Sequence, residues 1–145
     1  MDKTGKIDVV PFRPCHALSV EARMVDRGMV VYSMDTACEY AKNGVAYTGL
    51  AEDKVIAYGG VINMWEGVGH AWMVTSDLIK KYPKDITRAG IEVLKSFNFH
   101  RIQTAVYEGF HEAVKWIEIL GFKRECLMEH YGPDKANYYL YVRMV

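Results

Sequence analysis

His70-Ala71-Trp72-Met73-Val74-Thr75 is a short apolar run that reads as a strand. After a loop through Lys80, Lys81, Tyr82 and Pro83, Asp85 has the character of a helix N-cap. Ile86, Ala89, Val93, Leu94 and Phe97 then recur at helical spacing and form one apolar stripe. Ile102 to Tyr107 is short and alternating, hence another strand. Strand, helix and strand in that order imply a parallel pair joined by a right-handed crossover.

Before this segment, Ile7 to Phe12 reads as a first strand, ended by Pro11 and Pro14. Cys15 to Val31 is mostly helical in composition. Ser19 can cap a short helix through Val20, Met24 and Val25 that stops at Gly28. Ser33 or Asp35 can cap a second helix through Ala37, Tyr40 and Ala41, ended by Asn43-Gly44. Val45–Ala51, Val55–Trp65 and His70–Thr75 are linked by the turns Glu52-Asp53-Lys54 and Glu66-Gly67-Val68-Gly69, as in an antiparallel meander. Gly59-Gly60 interrupts the middle strand, which suggests a bulge or a close backbone approach. After the crossover, His111–Leu120 reads as a helix with Ala113, Val114 and Ile117 on one face and Gly121 as its stop. Phe122–Tyr131 and Tyr138–Val145 are strands around the turn Gly132-Pro133-Asp134-Lys135. The expected fold class is α/β: a mixed, mostly antiparallel sheet with one parallel pair and helices on both faces.

Composition narrows the function. The chain has 145 residues, 50% of them apolar, with 18 Lys plus Arg against 18 Asp plus Glu. That length fits one domain, residues 1–145, with a core of its own. Zero net charge supplies no field that would draw the whole protein to nucleic acid or an anionic membrane. No apolar stretch approaches the roughly 20 residues that span a bilayer. Cys15, Cys38 and Cys126 are distant, odd in number and outside any CxxC pair, as reduced thiols in a cytoplasmic protein would be. The five histidines form no cluster at metal-ligand spacing, so no metal is expected. Met1–Lys6 is polar and charged, unlike a signal peptide.

Three stretches carry a resemblance to the GNAT family of N-acetyltransferases. Glu112-Ala113-Val114-Lys115-Trp116-Ile117-Glu118-Ile119-Leu120-Gly121-Phe122 is similar to the family's helix with its Gly-Phe ending. His70–Thr75 resembles the strand before the family's cofactor loop, and the meander with Gly59-Gly60 resembles the strands before that. The likeness covers nearly the whole chain. It implies a V-shaped split between His70–Thr75 and Ile102–Tyr107, with acetyl-CoA as cosubstrate lying in it. Backbone groups of Met73, Val74 and Thr75 would pair with the pantetheine arm. The pyrophosphate would sit at the start of the next helix, near Asp85, Ile86 and Thr87. The acceptor would be an amine on a small molecule or protein, and a homodimer is admitted. Small degenerate proteins of this kind occur in tailed phages, which extends the resemblance to a phage-encoded member acting in the host cytoplasm.

Two departures keep a second function class open. The family's loop usually carries glycines that let backbone approach phosphate, but Lys80-Lys81-Tyr82-Pro83-Lys84-Asp85-Ile86-Thr87 has none. Lys80, Lys81, Lys84 and Arg88 are point charges that compensate, or are simply a solvated loop. The family's Asn at the start of the last helix and Tyr before the Gly-Phe ending correspond here to Phe110 and Ile117, neither of which transfers a proton. The catalytic candidates are therefore His70, with a pKa in the useful range, Glu66 acting through water, and the hydroxyls of Tyr107 and Tyr131. Thr75 and Ser76 offer hydroxyls to the thioester or cap the loop, whereas Tyr138, Tyr139 and Tyr141 read as sheet packing. An acetyl-CoA-dependent N-acyltransferase and a catalytically inactive GNAT-like binding module both fit.

Overall fold

Glu52 and Asp53 both take left-handed backbone, with φ of 53° and 63°. A two-residue turn of that kind twists with the strands it joins. Here it joins β2 (Gly44–Ala51) to β3 (Lys54–Trp65), and Glu66-Gly67 joins β3 to β4 (Val68–Thr75). The structure is a computed structural model that describes residues 7–18 and 34–145. β1 (Asp8–Pro11) pairs antiparallel with β2 and completes the first half of the sheet. β5 (Arg101–Tyr107), β6 (Lys123–Met128) and β7 (Tyr138–Met144) form the second half. The seven strands lie in the order β1-β2-β3-β4-β5-β7-β6, and β4–β5 is the parallel contact.

Side chains alternate across a strand, so each strand serves two layers. Trp72, Val74 and Tyr58 pack with Ala17 of α1 (Pro14–Leu18) and with Ala37 and Tyr40 of α2 (Met34–Lys42). Ala71 and Met73 face the opposite layer, built from α3 (Pro83–Ser96) and α4 (His111–Ile119). The expected mixed sheet with helices on both faces is therefore what forms. The cap at Ser33 and the helix expected between Ser19 and Gly28 lie outside the described residues.

α4 ends as the sequence indicated. Gly121 has φ +99°, its N–H donates to Glu118 O at 3.1 Å, and Phe122 N–H donates to Ile117 O at 3.2 Å. This pair of bonds satisfies carbonyls that would otherwise end the helix unpaired. Phe122 and Ile117 then share one buried cluster.

The start of α3 differs from expectation. Asp85 is not the N-cap. The helix begins at Pro83, after Tyr82, and no side chain caps it. Proline fits the first helical position because its ring presets φ and the missing N–H has no partner there anyway. Asp85 falls at the third helical position, where its carboxylate complements the helix dipole. The expected loop before it is a 3-10 helix, Asp77–Lys81, capped by Ser76 Oγ accepting from Leu78 N–H at 3.3 Å. Ser76 Oγ therefore caps this helix and also donates to Val55 O at 3.4 Å.

Gly59 and Gly60 are a close approach and not a bulge. Both stay in continuous register with β2 and β4, and the irregularities lie at Gly49/Leu50 and Asn63/Trp65. A Cβ on Gly60 would overlap the Val45 carbonyl oxygen, which is backbone and cannot swing away. Gly60→Ala should destabilise the fold by about 3 kcal/mol in urea unfolding. A loss below about 1 kcal/mol would show that β2 and β3 can part to admit a methyl group.

Candidate active site

The parallel pairing of β4 with β5 stops after Val68↔Arg101, Gly69↔Ile102 and His70↔Gln103. One further link follows, where Thr104 Oγ1 donates to Ala71 O at 2.9 Å. Beyond it a cavity of about 950 Å³ opens between the rest of the two strands. Met73, Ile86 and Trp116 line it from the α3/α4 layer, and Tyr40 lines it from α2. The cavity therefore reaches both faces of the sheet through the split.

Charge is confined to one side of this cavity. Lys80, Lys84, Arg88, Lys115, Glu92 and Glu112 line it, all from the 3-10 helix, α3 or α4. Lys84, Arg88 and Glu92 follow at four-residue spacing, which stacks them on one helical face. The start of α3 offers less backbone to an anion than an ordinary helix. Tyr82 N–H already donates to Ile79 O, Pro83 has no N–H, and Ile86 N–H donates to Tyr82 O. Lys84 and Asp85 supply the two first-turn N–H groups left over. Thr87 is engaged within the protein: its hydroxyl donates to Pro83 O at 2.7 Å and accepts from Trp116 Nε1 at 2.9 Å.

The sequence candidates divide accordingly. Met73, Thr75, Ile86, Thr87, Lys80, Lys84 and Arg88 line the cavity, while Lys81 and Asp85 stand outside its lining. Val74 is also outside the lining, with its side chain buried in the α1/α2 layer. His70 lines the cavity where the strands begin to diverge. Burial holds its pKa below the usual histidine value, so the ring stays neutral near pH 7. Tyr107 lines the far end. Tyr131 is half-exposed and outside the lining, with its ring 5.3 Å from that of Tyr138. Glu66 lies on the turn before the paired segment, exposed, at the closed end of the split and outside the lining. The short parallel pairing puts the whole of Val68–His70 between that turn and the opening.

Tyr138, Tyr40 and Lys115 line the cavity without having been singled out. The sheet-packing expectation holds for Tyr139 and Tyr141, which join the α4 cluster. Tyr138 falls on the other face by alternation and packs against Tyr107 at 5.7 Å. The signal was the phase of the Tyr138–Tyr141 run, which only the placement of α4 fixes.

No family model matches the sequence, and no curated protein sequence does. The structural likenesses are extensive. The Ard1 protein of Thermoplasma volcanium matches with a TM-score of 0.74 at 15% identity, over 97% of this chain and 98% of that one. A putative phosphinothricin N-acetyltransferase matches with a TM-score of 0.75 at 10% identity, over 96% and 98%. A GNAT family acetyltransferase from Elizabethkingia anophelis, solved with acetyl-CoA bound, matches at 0.68 and 9% identity, over 97% and 99%. These likenesses show that the chain has the GNAT acetyltransferase fold.

The neutral state of His70 has a measurable consequence for stability. Its folded pKa is lowered, so the unfolded chain binds a proton first as pH falls. The stability associated with its neutral form is complete above pH 6.5 and drains away below it. In urea unfolding, wild type should lose more stability between pH 7 and 5 than His70→Gln. A difference between the two proteins that does not change with pH would show that His70 protonates freely in the fold.

Proposed function

We propose that this chain transfers an acetyl group from acetyl-CoA to an amine by direct attack. The observation that supports it is the early end of the β4–β5 register, which opens a cleft through the sheet with cations on one side and His70 at its apex. The cavity volume falls within the range of small-molecule sites. Its inner wall is apolar, as a pantetheine arm requires, and Lys80, Lys84, Arg88 and Lys115 suit phosphate groups. Acetyl-CoA, when bound, supplies an activated acyl carbon and a thiolate leaving group. Its use would place the protein in a cytoplasm.

The chain's own residues then have three tasks. Lys84 and Arg88 hold phosphate by charge, replacing part of what a glycine-rich loop does with backbone N–H groups. His70, neutral in its buried position, takes the proton that the amine loses as its nitrogen bonds to the acyl carbon. Tyr107 supplies a proton to the departing sulfur, a task that Ile117 cannot perform from α4. The carbon–sulfur bond breaks as the carbon–nitrogen bond forms, so protons and charge balance.

A second reading draws on α4 itself. Ile117 is buried apolar core and Phe110 starts the helix without a capping bond. A protein that binds a CoA-like ligand or a partner without transferring an acyl group would keep this arrangement.

Acetyl-CoA at millimolar concentration should raise the melting temperature by several degrees, because a ligand selective for the native state stabilises it. A site built on side-chain charge should be sensitive to salt. Lys84→Ala with Arg88→Ala should weaken binding about tenfold in low salt and flatten its salt dependence. Absence of any shift sinks the transferase reading, and binding without turnover of any amine supports the second reading.

If turnover is seen, kcat/KM in wild type should fall on the acid side, with the limb displaced below the usual histidine range. His70→Gln should remove that limb and lower the rate about a hundredfold. Tyr107→Phe should lower kcat about tenfold with acetyl-CoA affinity intact. Unchanged rates would take either residue out of the mechanism.

A further inference from the structure

A second cavity, of about 170 Å³, lies between α3 and the first half of the sheet. Gly49 of β2, Ala57 and Gly59 of β3, and Ala89 of α3 border it, and none of these lines the cleft. Protein interiors are close-packed, and larger side chains at such positions ordinarily fill a space of this size. Here the facing positions carry one methyl group or none. Gly59 has a backbone reason, since a Cβ there would overlap the Trp72 carbonyl oxygen of β4. Gly49 has no such reason. A Cβ on it would meet Ile7, Ala57 and Ile86 at ordinary contact distances of 3.4 to 3.9 Å. The space is therefore left open where a side chain fits.

This cavity adjoins the cleft at the point of strand divergence. Ala71, Met73, Ile86, Thr104 and Trp116 border both spaces. Ala71 and Thr104 stand next to His70 and Gln103, the last paired residues of the split. Polar side chains on the border are already engaged. Thr104 Oγ1 donates to Ala71 O, Trp116 Nε1 donates to Thr87 Oγ1, and Thr48 Oγ1 bonds His16 Nδ1 at 2.7 Å. A buried water needs two to four polar partners, so the occupant that suits these walls is hydrocarbon. Met73, unbranched and with three rotatable bonds, is the most easily moved part of the shared wall.

We propose that this cavity receives the tail of the donor's acyl group, so that the chain takes straight acyl groups of about six carbons as well as acetyl. This rests on the acyl-transfer reading and extends it to the donor's chain length. The acyl carbon lies at the apex of the split, and the tail passes Met73 and rests on Gly59 beneath Ala89. An apolar cavity of about 150 Å³ stays dry and holds a six-carbon hydrocarbon, which sets the size class of the tail. The bonds exchanged are those of acetyl transfer: amine nitrogen to acyl carbon forms, and acyl carbon to sulfur breaks.

Calorimetric titration of the full chain with CoA, acetyl-CoA, hexanoyl-CoA and decanoyl-CoA tests this. Hexanoyl-CoA should bind at least about tenfold more tightly than acetyl-CoA, since each methylene removed from water is worth about fourfold. Decanoyl-CoA should gain nothing over hexanoyl-CoA, because the cavity is closed at that length. Ala89→Leu fills the cavity with three carbons from α3 and should bring hexanoyl-CoA within about threefold of acetyl-CoA, with CoA affinity unchanged. Gly49→Ala is the milder filling and should weaken hexanoyl-CoA about threefold, which serves if leucine at 89 disturbs the fold. Hexanoyl-CoA no tighter than acetyl-CoA, affinity still rising at decanoyl-CoA, or a preference that survives the filling substitutions would each overturn the proposal. If CoA itself fails to bind, the acyl-transfer reading falls instead, and benzene then decides the cavity. Benzene should raise the melting temperature of wild type more than that of Gly49→Ala or Ala89→Leu, and no rise in wild type would rule out an apolar site there.

Discussion

Among the described residues, three pairs, Val68–Arg101, Gly69–Ile102 and His70–Gln103, are all the strand pairing that joins the two halves of this sheet. Elsewhere neighbouring strands pair over most of their length. So short a seam cannot hold the halves together by backbone hydrogen bonds alone, each worth about 1 kcal/mol net. The α3/α4 layer supplies the rest. One buried cluster takes Val61 from β3, Ile102 from β5, Tyr141 from β7, Leu94 from α3, Ile117 from α4 and Leu120 at its C-terminal cap. Apolar burial thus bridges the split from one face, and the strands are free to diverge where the cavity needs them to. Thr104 marks the limit of divergence with its bond to Ala71 O, one residue past the last paired position at His70.

The helix that closes the bridge also carries the cavity's charge. Ile86 and Leu94 anchor one side of α3 in the core, while Lys84, Arg88 and Glu92 occupy the face toward the cleft. Two demands therefore meet in the first turn. Pro83 starts the helix sharply after the 3-10 segment, but it removes one N–H group that an anion could use. Glycine at that position would leave the donor in place and loosen the turn. On the acyl-transfer reading, anion binding here moves from fixed backbone dipoles to flexible point charges. Such charges attract at longer range and impose less geometry.

Local features were the readable ones. The strand-helix-strand segment from His70 to Tyr107 was legible because each element announces its own period and the connection has few topological solutions. Gly121 was legible because a left-handed C-terminal position favours glycine wherever the helix lies. Asp85 misled because Asp is a good cap in general, and Pro83 two residues earlier fixed the start first. The position of Glu66 relative to the cavity was not legible for a different reason. Its distance along the chain from His70 is small, yet which end of the parallel pair opens is a tertiary fact that depends on where α3 and α4 pack. Tyr138 was hidden by its neighbours, because a run with Tyr at 138, 139 and 141 shows an aromatic strand without showing which face meets the cleft.

On the acyl-transfer reading, burial does most of the work that a strong base would otherwise have to do. An amine arriving as ammonium loses hydration as it enters the split, and a low-dielectric wall disfavours its charged form. The same burial keeps His70 neutral, so base and nucleophile are both driven toward the uncharged state that transfer needs. Neither shift depends on a carboxylate, and Glu66, the acidic candidate nearest in sequence, stands at the wrong end of the seam to supply one. Tyr40 and Tyr138, which line the cavity, act in the same direction. Tyrosines held protonated by burial offer hydroxyl dipoles without adding a negative charge that would stabilise ammonium. A neutral face for the amine and a cationic face for phosphate, separated by a sheet that opens only past His70, let one cleft bind two ligands of opposite electrostatic character.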